Sequence, residues 1–324
     1  MMFNDTLEHE FKTEIVVDDQ HNLIERAISV PAEITGMMPA YKFLMSTQTL
    51  IGKNGRVEGN RFVYPLKQGV FHGPPIPSIR FLILRQVEVH GDTVKLVEDG
   101  IGGGKSLLRL WTATADRVEV EKTQLGKTEV HTYTSYYPVL NRVVIGLDDT
   151  DTSTKGDTYL TALHIGRSIE AEGYGSFIKQ TVTINYPRNP FKTTNNASSA
   201  MVFHVKPALR TKLINAVIEK VQETSNSRDT GIAILNRLDI PPRLQQYTRQ
   251  CKSRMMDVTD TEHIAKSIGA QLLSFDQDRG KIGALSSIGY VNEPYKAISP
   301  SFKYQLLMKL GNTYVKFKDT FARK

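Results

Sequence analysis

Four carboxylates, Asp148, Asp149, Asp151 and Asp157, crowd one short stretch of the chain, VVIGLDDTDTSTKGDTYL. Carboxylates so close repel and raise one another's pKa unless a cation or hydrogen-bond donors stabilise the ionised form. A hard divalent ion does this well, because Mg²⁺ takes one or two carboxylates and completes its shell with phosphate oxygens. The stretch therefore reads as a metal- and phosphate-handling loop. Asp148, Asp149 and Asp151 are the candidates for both metal binding and catalysis, and Gly146 and Thr150 join them as nucleotide-binding candidates. Gly156 lets the backbone approach a ligand, and the N–H groups near Asp157 and Thr158, where a helix should open, can receive a phosphate oxygen. Thr158 would be an oxygen ligand or a phosphorylatable hydroxyl. The competing reading is a capped surface turn, since Asp, Thr, Ser and Gly are common turn formers.

A second polar cluster spans 185–196, NYPRNPFKTTNN, and carries two prolines that hold the backbone extended. Lys192 and Arg188 offer charge for phosphates, while Thr193, Thr194, Asn195 and Asn196 offer hydrogen bonds, the division of labour that phosphoryl transfer requires. A solvated connection is the alternative.

The elements that must position these loops follow from periodicity. An apolar strand, VVIGL, leads into the acidic loop, and 159–171 has apolar residues at helical spacing. Strands at 177–185 and 199–205 follow, then an amphipathic helix at 209–224. Further on, a helix at 261–268 capped by Asp260, a short strand at 271–274 and a Gly- and Ala-rich segment at 281–288 complete an α/β domain. In an open α/β sheet the acidic loop would lie beyond the carboxyl ends of the strands. The chain up to about 140 reads instead as short strands, at 79–89, 93–97, 118–121 and 130–136, with helices expected only at 21–28 and 40–46. The expected architecture is a two-domain α/β (α+β) protein: a β-rich domain over 1–140 and a nucleotide-binding α/β domain over 141–324.

Composition agrees with a folded, non-membrane protein. Of 324 residues, 40% are hydrophobic and 23% charged, and the single cysteine, Cys251, excludes an internal disulfide. No apolar stretch reaches the roughly 18–20 residues of a membrane span. The start, MMFNDTLEHEFKTE, is acidic and lacks a signal-peptide core, so a cytoplasmic location is expected. A net charge of +7 favours polyanionic partners.

Four strings in order, GLDDTDTSTKGDTYLTALHIGRSIE, NYPRNPFKTTNNASSAMVFHV, DTGIAIL and RGKIGALSSIGY, resemble the archaeal tRNA agmatidine synthetase (TiaS) family and its shorter relatives among the methanogenesis marker proteins. The resemblance covers about 142–292. It implies an ATP-dependent, kinase-like domain that activates a carbonyl oxygen of a cytidine in a minor isoleucine tRNA, after which agmatine displaces the phosphate. Asp148, Asp149, Thr150 and Asp151 match the acidic string; Pro190, Phe191, Lys192, Thr193 and Asn195 or Asn196 match the second. Gly280, Ile282, Gly283, Ala284, Leu285, Ile288 and Gly289 match the last, which makes Gly283 a cofactor-binding candidate. The family's G-x-C-T-T stands here as Gly156-Asp157-Thr158-Tyr159, so Thr158 is the counterpart it offers. No four-cysteine zinc ribbon follows 300.

Other signals are weaker. DGIGGGKS at 99–106 misses the phosphate-loop spacing by one residue and reads as a Gly-rich turn, although Lys105 remains within the chemistry of a phosphate contact. Arg237, Arg243, Arg249, Lys252 and Arg254 surround Tyr247 in a pattern that suits RNA, or an exposed basic helix starting near Pro242. The aromatic and basic residues from Phe302 onward suit packing onto the core. Asn4 and Asn196 begin glycosylation sequons that a cytosolic chain would not use. His164 and His204 read as core residues. The resulting expectation is an enzyme using ATP and Mg²⁺ on an acceptor oxygen, with a tRNA nucleotide as the leading acceptor. The alternatives are the same chemistry on a protein or small cofactor, and a catalytically silent RNA-binding protein. A protein partner or homo-oligomer is compatible with either.

Overall fold

The computed structural model describes residues 10–31, 33, 50–52, 55–73, 81–193 and 195–299. The expectations for 40–46, Asn4, Thr194 and the segment from Phe302 lie outside these residues. Two compact units divide the chain, Met1–Arg142 and Val143–Lys324.

Among the described residues the first unit is built from β1 (Lys12–Asp18), β2 (Leu23–Ser29), β3 (Arg56–Glu58), β4 (Arg61–Leu66), β5 (Gly69–Val70), β6 (Leu82–His90), β7 (Thr93–Ile101), the helix α1 (Gly103–Trp111), then β8 (Arg117–Leu125) and most of β9 (Thr128–Asp148). The segment expected to be helical at 21–28 is instead a short 3-10 turn followed by β2. Its apolar residues fit a pleat as well as a helix, and tertiary pairing decides: β2 bonds antiparallel to β1 on one side and β4 on the other. Ile24, Arg26 and Ile28 point inward together, so Arg26 is buried, ion-paired to Glu98 at 2.6 Å and set 5.4 Å from the Trp111 ring.

The Gly-rich turn is real, but it opens a helix. Gly102 has φ +54, and α1 starts at the next residue. Gly104 lies so near the backbone of Phe81 that a Cβ there would overlap it. The three glycines hid the helix from propensity, since each weakens it, and packing against the strands restores it. Lys105 donates to Glu129 at 2.7 Å.

In the second unit the end of β9 joins β10 (Ser176–Ile184), β11 (Ala197–Val205), β12 (Gly231–Leu235) and β13 (Gln271–Ser274) in the order β10–β11–β9–β12–β13. The helices are α2 (Thr158–Ala171), α3 (Arg210–Thr224), α4 (Pro242–Cys251), α5 (Val258–Ile268), α6 (Gly280–Ile288) and α7 (Pro294–Ile298). β10–β11, β9–β12 and β12–β13 all pair antiparallel. The cap of α5 is Asp257, which accepts from the Thr259 N–H at 2.7 Å, so the cap lies three residues before the expected one.

Both faces of this sheet are covered, which is why β9 reads as a continuous apolar run. Val143, Ile145 and Leu147 face the core shared with α2 and α3, and Val144 faces the core shared with α4, α5 and α6. Side chains alternate along a strand, so Gly146 and Asp148 share the face of Val144. There α6 lies so close that a Cβ on Gly146 would overlap the Ala284 carbonyl, and one on Gly231 would overlap Gly280.

Candidate functional site

The site lies at the sheet end where β9 and β10 finish and β11 and β12 begin. Parity along β9 aims Asp148 at α6, and it is buried there at 8% exposure. Gly283 makes this possible, because a Cβ on it would fall on the Asp148 carboxylate. Burial, and next the charge of Asp149, push the Asp148 carboxyl well above its usual range. Asp149 adopts a left-handed φ of +52, and its carbonyl accepts from the Thr230 hydroxyl at 2.9 Å. Burial and then Asp229 raise its carboxyl to about 6, against the opposing pull of Arg279.

Asp151 has a different environment. Thr158 donates to one of its oxygens at 2.7 Å and Thr193 to the other at 2.9 Å. Thr158 in turn accepts from the Thr150 N–H at 3.2 Å and from the Thr150 hydroxyl at 3.0 Å. The two polar loops predicted separately are thus joined through Asp151. Gly156, at φ +90, closes the turn against Asp151 and Asn226, and Asp157 caps α2 by accepting from the Leu160 N–H at 2.9 Å.

Two cavities flank this arrangement. One, of about 270 Å³, is bounded by Asp148, Asp149, Phe191, Arg254, Arg279 and Gly283. The other, of about 690 Å³, is bounded by Asp151, the 152–158 turn, Lys192, Thr193 and Asn195. Asn185 and Asn196 line both. Asn185 is buried, donates to Ser198 at 3.0 Å and accepts from Ser286 on α6 at 2.8 Å. Asn196 donates to the Tyr186 carbonyl at 2.7 Å. The end of β10 is gripped from behind: Tyr186 N–H donates to the Cys251 carbonyl at 2.9 Å, and the buried Lys252 donates to the carbonyls of Ile184, at 2.8 Å, and Ala297. Burial lowers the Lys252 amine to about 8 and raises the Cys251 thiol to about 12.

The predicted residues therefore part company. Asp148, Asp149 and Gly283 face the smaller cavity; Asp151, Gly156, Asp157, Thr158, Lys192, Thr193 and Asn195 face the larger. Gly146 lines neither and serves the packing of α6, Thr150 is buried beneath the turn, and Arg188 is exposed and lines neither. Among the described residues no group of three or more Asp, Glu, His or Cys converges to hold a metal ion. The acidic trio is thus not a closed cage. Asp148 and Asp149, buried without full compensation, suit an ion that takes one or two carboxylates and finishes its shell on a ligand's phosphates.

Two residues of the site, Asp229 and Arg279, stand out less in the sequence, and a third, Arg254, reads there as part of the basic stretch around Tyr247. Asp229 heads β12 beside the end of β9, Arg279 heads α6, and Arg254 follows α4. Asp229 and Arg279 are ion-paired, and the Arg279 guanidinium lies 4.5 Å from the Phe191 ring centre. A charged residue at the mouth of an apolar strand or a Gly-rich helix is the available signal. Tyr247, expected to stack on a base, is buried, with its hydroxyl 2.7 Å from Thr261, because it sits one turn after Leu244 on the face toward the core. Arg237 is paired with Asp239. His164 is exposed on α2, while His204 is buried.

Over 169 residues the chain is 34% identical to the tRNA 2-agmatinylcytidine synthetase TiaS of Thermococcus sibiricus, covering 50% of this chain and 37% of that one. It is 30% identical over 280 residues to the uncharacterized protein MJ0921 of Methanocaldococcus jannaschii, covering 85% of this chain and 91% of that one. The chain belongs to the TiaS-like family that contains MJ0921. It spans little more than a third of the synthetase's length. Among solved structures, the complex of TiaS with its isoleucine tRNA and ATP aligns with 46% of this chain and 36% of that chain, at 22% identity and a TM-score of 0.43, too slight a likeness to build on. No protein-family model matches the chain. No helix among the described residues is long and apolar enough to cross a membrane.

Proposed function

We propose that the second unit is an ATP- and Mg²⁺-dependent, kinase-like enzyme that activates an oxygen of an acceptor, a tRNA nucleotide, in the cytoplasm. The observation that carries this reading is the division of one acidic loop between two cavities with a common wall, Asn185 and Asn196. The larger cavity has the chemistry of a polyphosphate site: the 152–158 turn, Thr193, Asn195 and Lys192 supply donors and charge. The smaller takes the acceptor. Asp149, with a carboxyl near pKa 6, is suited to accept the acceptor's proton near neutral pH. Asp148 would hold Mg²⁺, which neutralises phosphate charge when bound, and Asp149 would stay unligated as the base. Asp151, fixed by Thr158 and Thr193, ties the turn to the Lys192 loop and so sets the nucleotide against the acceptor. The relationship to a synthetase named for a tRNA supports RNA as the acceptor class.

The test is to incubate the protein with labelled ATP, Mg²⁺ and bulk tRNA, following hydrolysis and label transfer beside Asp149→Asn. Turnover that needs both tRNA and the aspartate is the expected result. ATP that neither binds nor turns over with any acceptor removes the catalytic reading.

A further inference from the structure

The smaller cavity holds positive as well as negative charge, and the cations are arginines. Lys192, which the composition of the 185–196 cluster offers for phosphate charge, lines the other cavity. Beside Asp148 and Asp149 stand Arg254 and Arg279. Arg279 is the more firmly placed. Its guanidinium is ion-paired to one oxygen of Asp229 and stacked over Phe191, so partners from two separate loops fix its plane. The side chain is still 37% exposed. A guanidinium carries five N–H donors in a rigid fork that matches phosphate oxygens in pairs. The bond to Asp229 uses one nitrogen, Nη2, and leaves donors for the cavity. The second oxygen of Asp229, Oδ1, is buried with no partner. Asp229 therefore holds the arginine as a competitor holds it, by charge, while Phe191 holds it by its ring face.

We propose that Arg279 is an anion-binding residue of the smaller cavity, receiving the oxygens of a phosphate group there, with Phe191 holding its plane and Asp229 competing for its charge until the anion binds. This rests on the reading of the site as an ATP-using one. It adds a second phosphate contact, in the acceptor cavity, to the one around Lys192. The requirement is for a planar fork, so lysine is a poor substitute. Removal of the Asp229 charge should free the guanidinium for the ligand and strengthen binding.

The experiment is calorimetric titration of the full chain with inorganic tripolyphosphate and with a non-hydrolysable ATP analogue. Arg279→Met is expected to weaken binding about 10- to 50-fold, and Arg279→Lys to recover little of it. Asp229→Asn is expected to tighten binding about 2- to 5-fold at low salt. That sign matters, because a purely structural ion pair predicts weakening from both partners. Arg279→Met binding like the wild type, or Asp229→Asn weakening it, overturns the proposal while leaving the ATP reading intact. Should Arg279→Met fail to fold by circular dichroism, Arg279→Lys and Asp229→Asn decide between the same two outcomes. A wild-type chain that binds neither probe overturns both.

Discussion

Asp149 and Asp151 are two residues apart in one loop, yet their carboxylates live in opposite conditions. Each oxygen of Asp151 accepts a threonine hydroxyl, and the residue knits two loops together. Asp149 faces Asp229 and is relieved only by Arg279, so its carboxyl sits near pKa 6. Neighbouring acids in one loop thus sit in different conditions: the compensated one joins two loops, and the uncompensated one keeps the raised pKa that the proposed base requires. Ligand-free stability is what the second arrangement gives up.

Asp149→Asn should sharpen this contrast most. It removes the proposed base, so turnover should fall about 10²- to 10⁴-fold. Stability should move the other way. The folded carboxyl has a pKa of about 6 against an ordinary 3.8, so the folded chain binds more protons between those values and loses stability as pH rises through that window. The asparagine variant escapes that loss. Urea unfolding should show it more stable than wild type by on the order of 1–3 kcal/mol at pH 7, with the gain vanishing near pH 4. An equal or lower midpoint at pH 7 would break the comparison.

Gly283→Ala attacks the same side through packing. The new methyl would displace Asp148, costing about 1–3 kcal/mol in a urea melt and about 100-fold in turnover through misplacement. Thr193→Val touches the compensated side and should do least. Asp151 keeps its Thr158 bond, so nucleotide binding should weaken only about 5-fold, the worth of one hydrogen bond. A loss as deep as that of Asp149→Asn would mean the two carboxylates are not separable.

Much of the second unit is legible because its signals are local. VVIGL ends in acids, Asp157 caps α2, and 209–224 has a clean apolar stripe. What cannot be read there depends on residues distant in sequence. Nothing near Arg279 announces Asp229, which lies 50 positions away, and Gly283 matters only because strand parity aims Asp148 at it. Gly146 reads as a ligand contact because a glycine before an acidic loop looks the same whether a phosphate or a helix comes close. In the first unit, 21–28 misleads for a related reason: a short apolar segment fits both periods until its neighbours choose one.

The backbone at Asp149 has a consequence for the family's history. A left-handed φ is readily tolerated by glycine, asparagine and aspartate, and by few other side chains. Drift at this position is therefore channelled: a lineage that abandons the chemistry while keeping the fold should carry asparagine or glycine there, rather than a random assortment. One column of an alignment would then separate working descendants from retired ones.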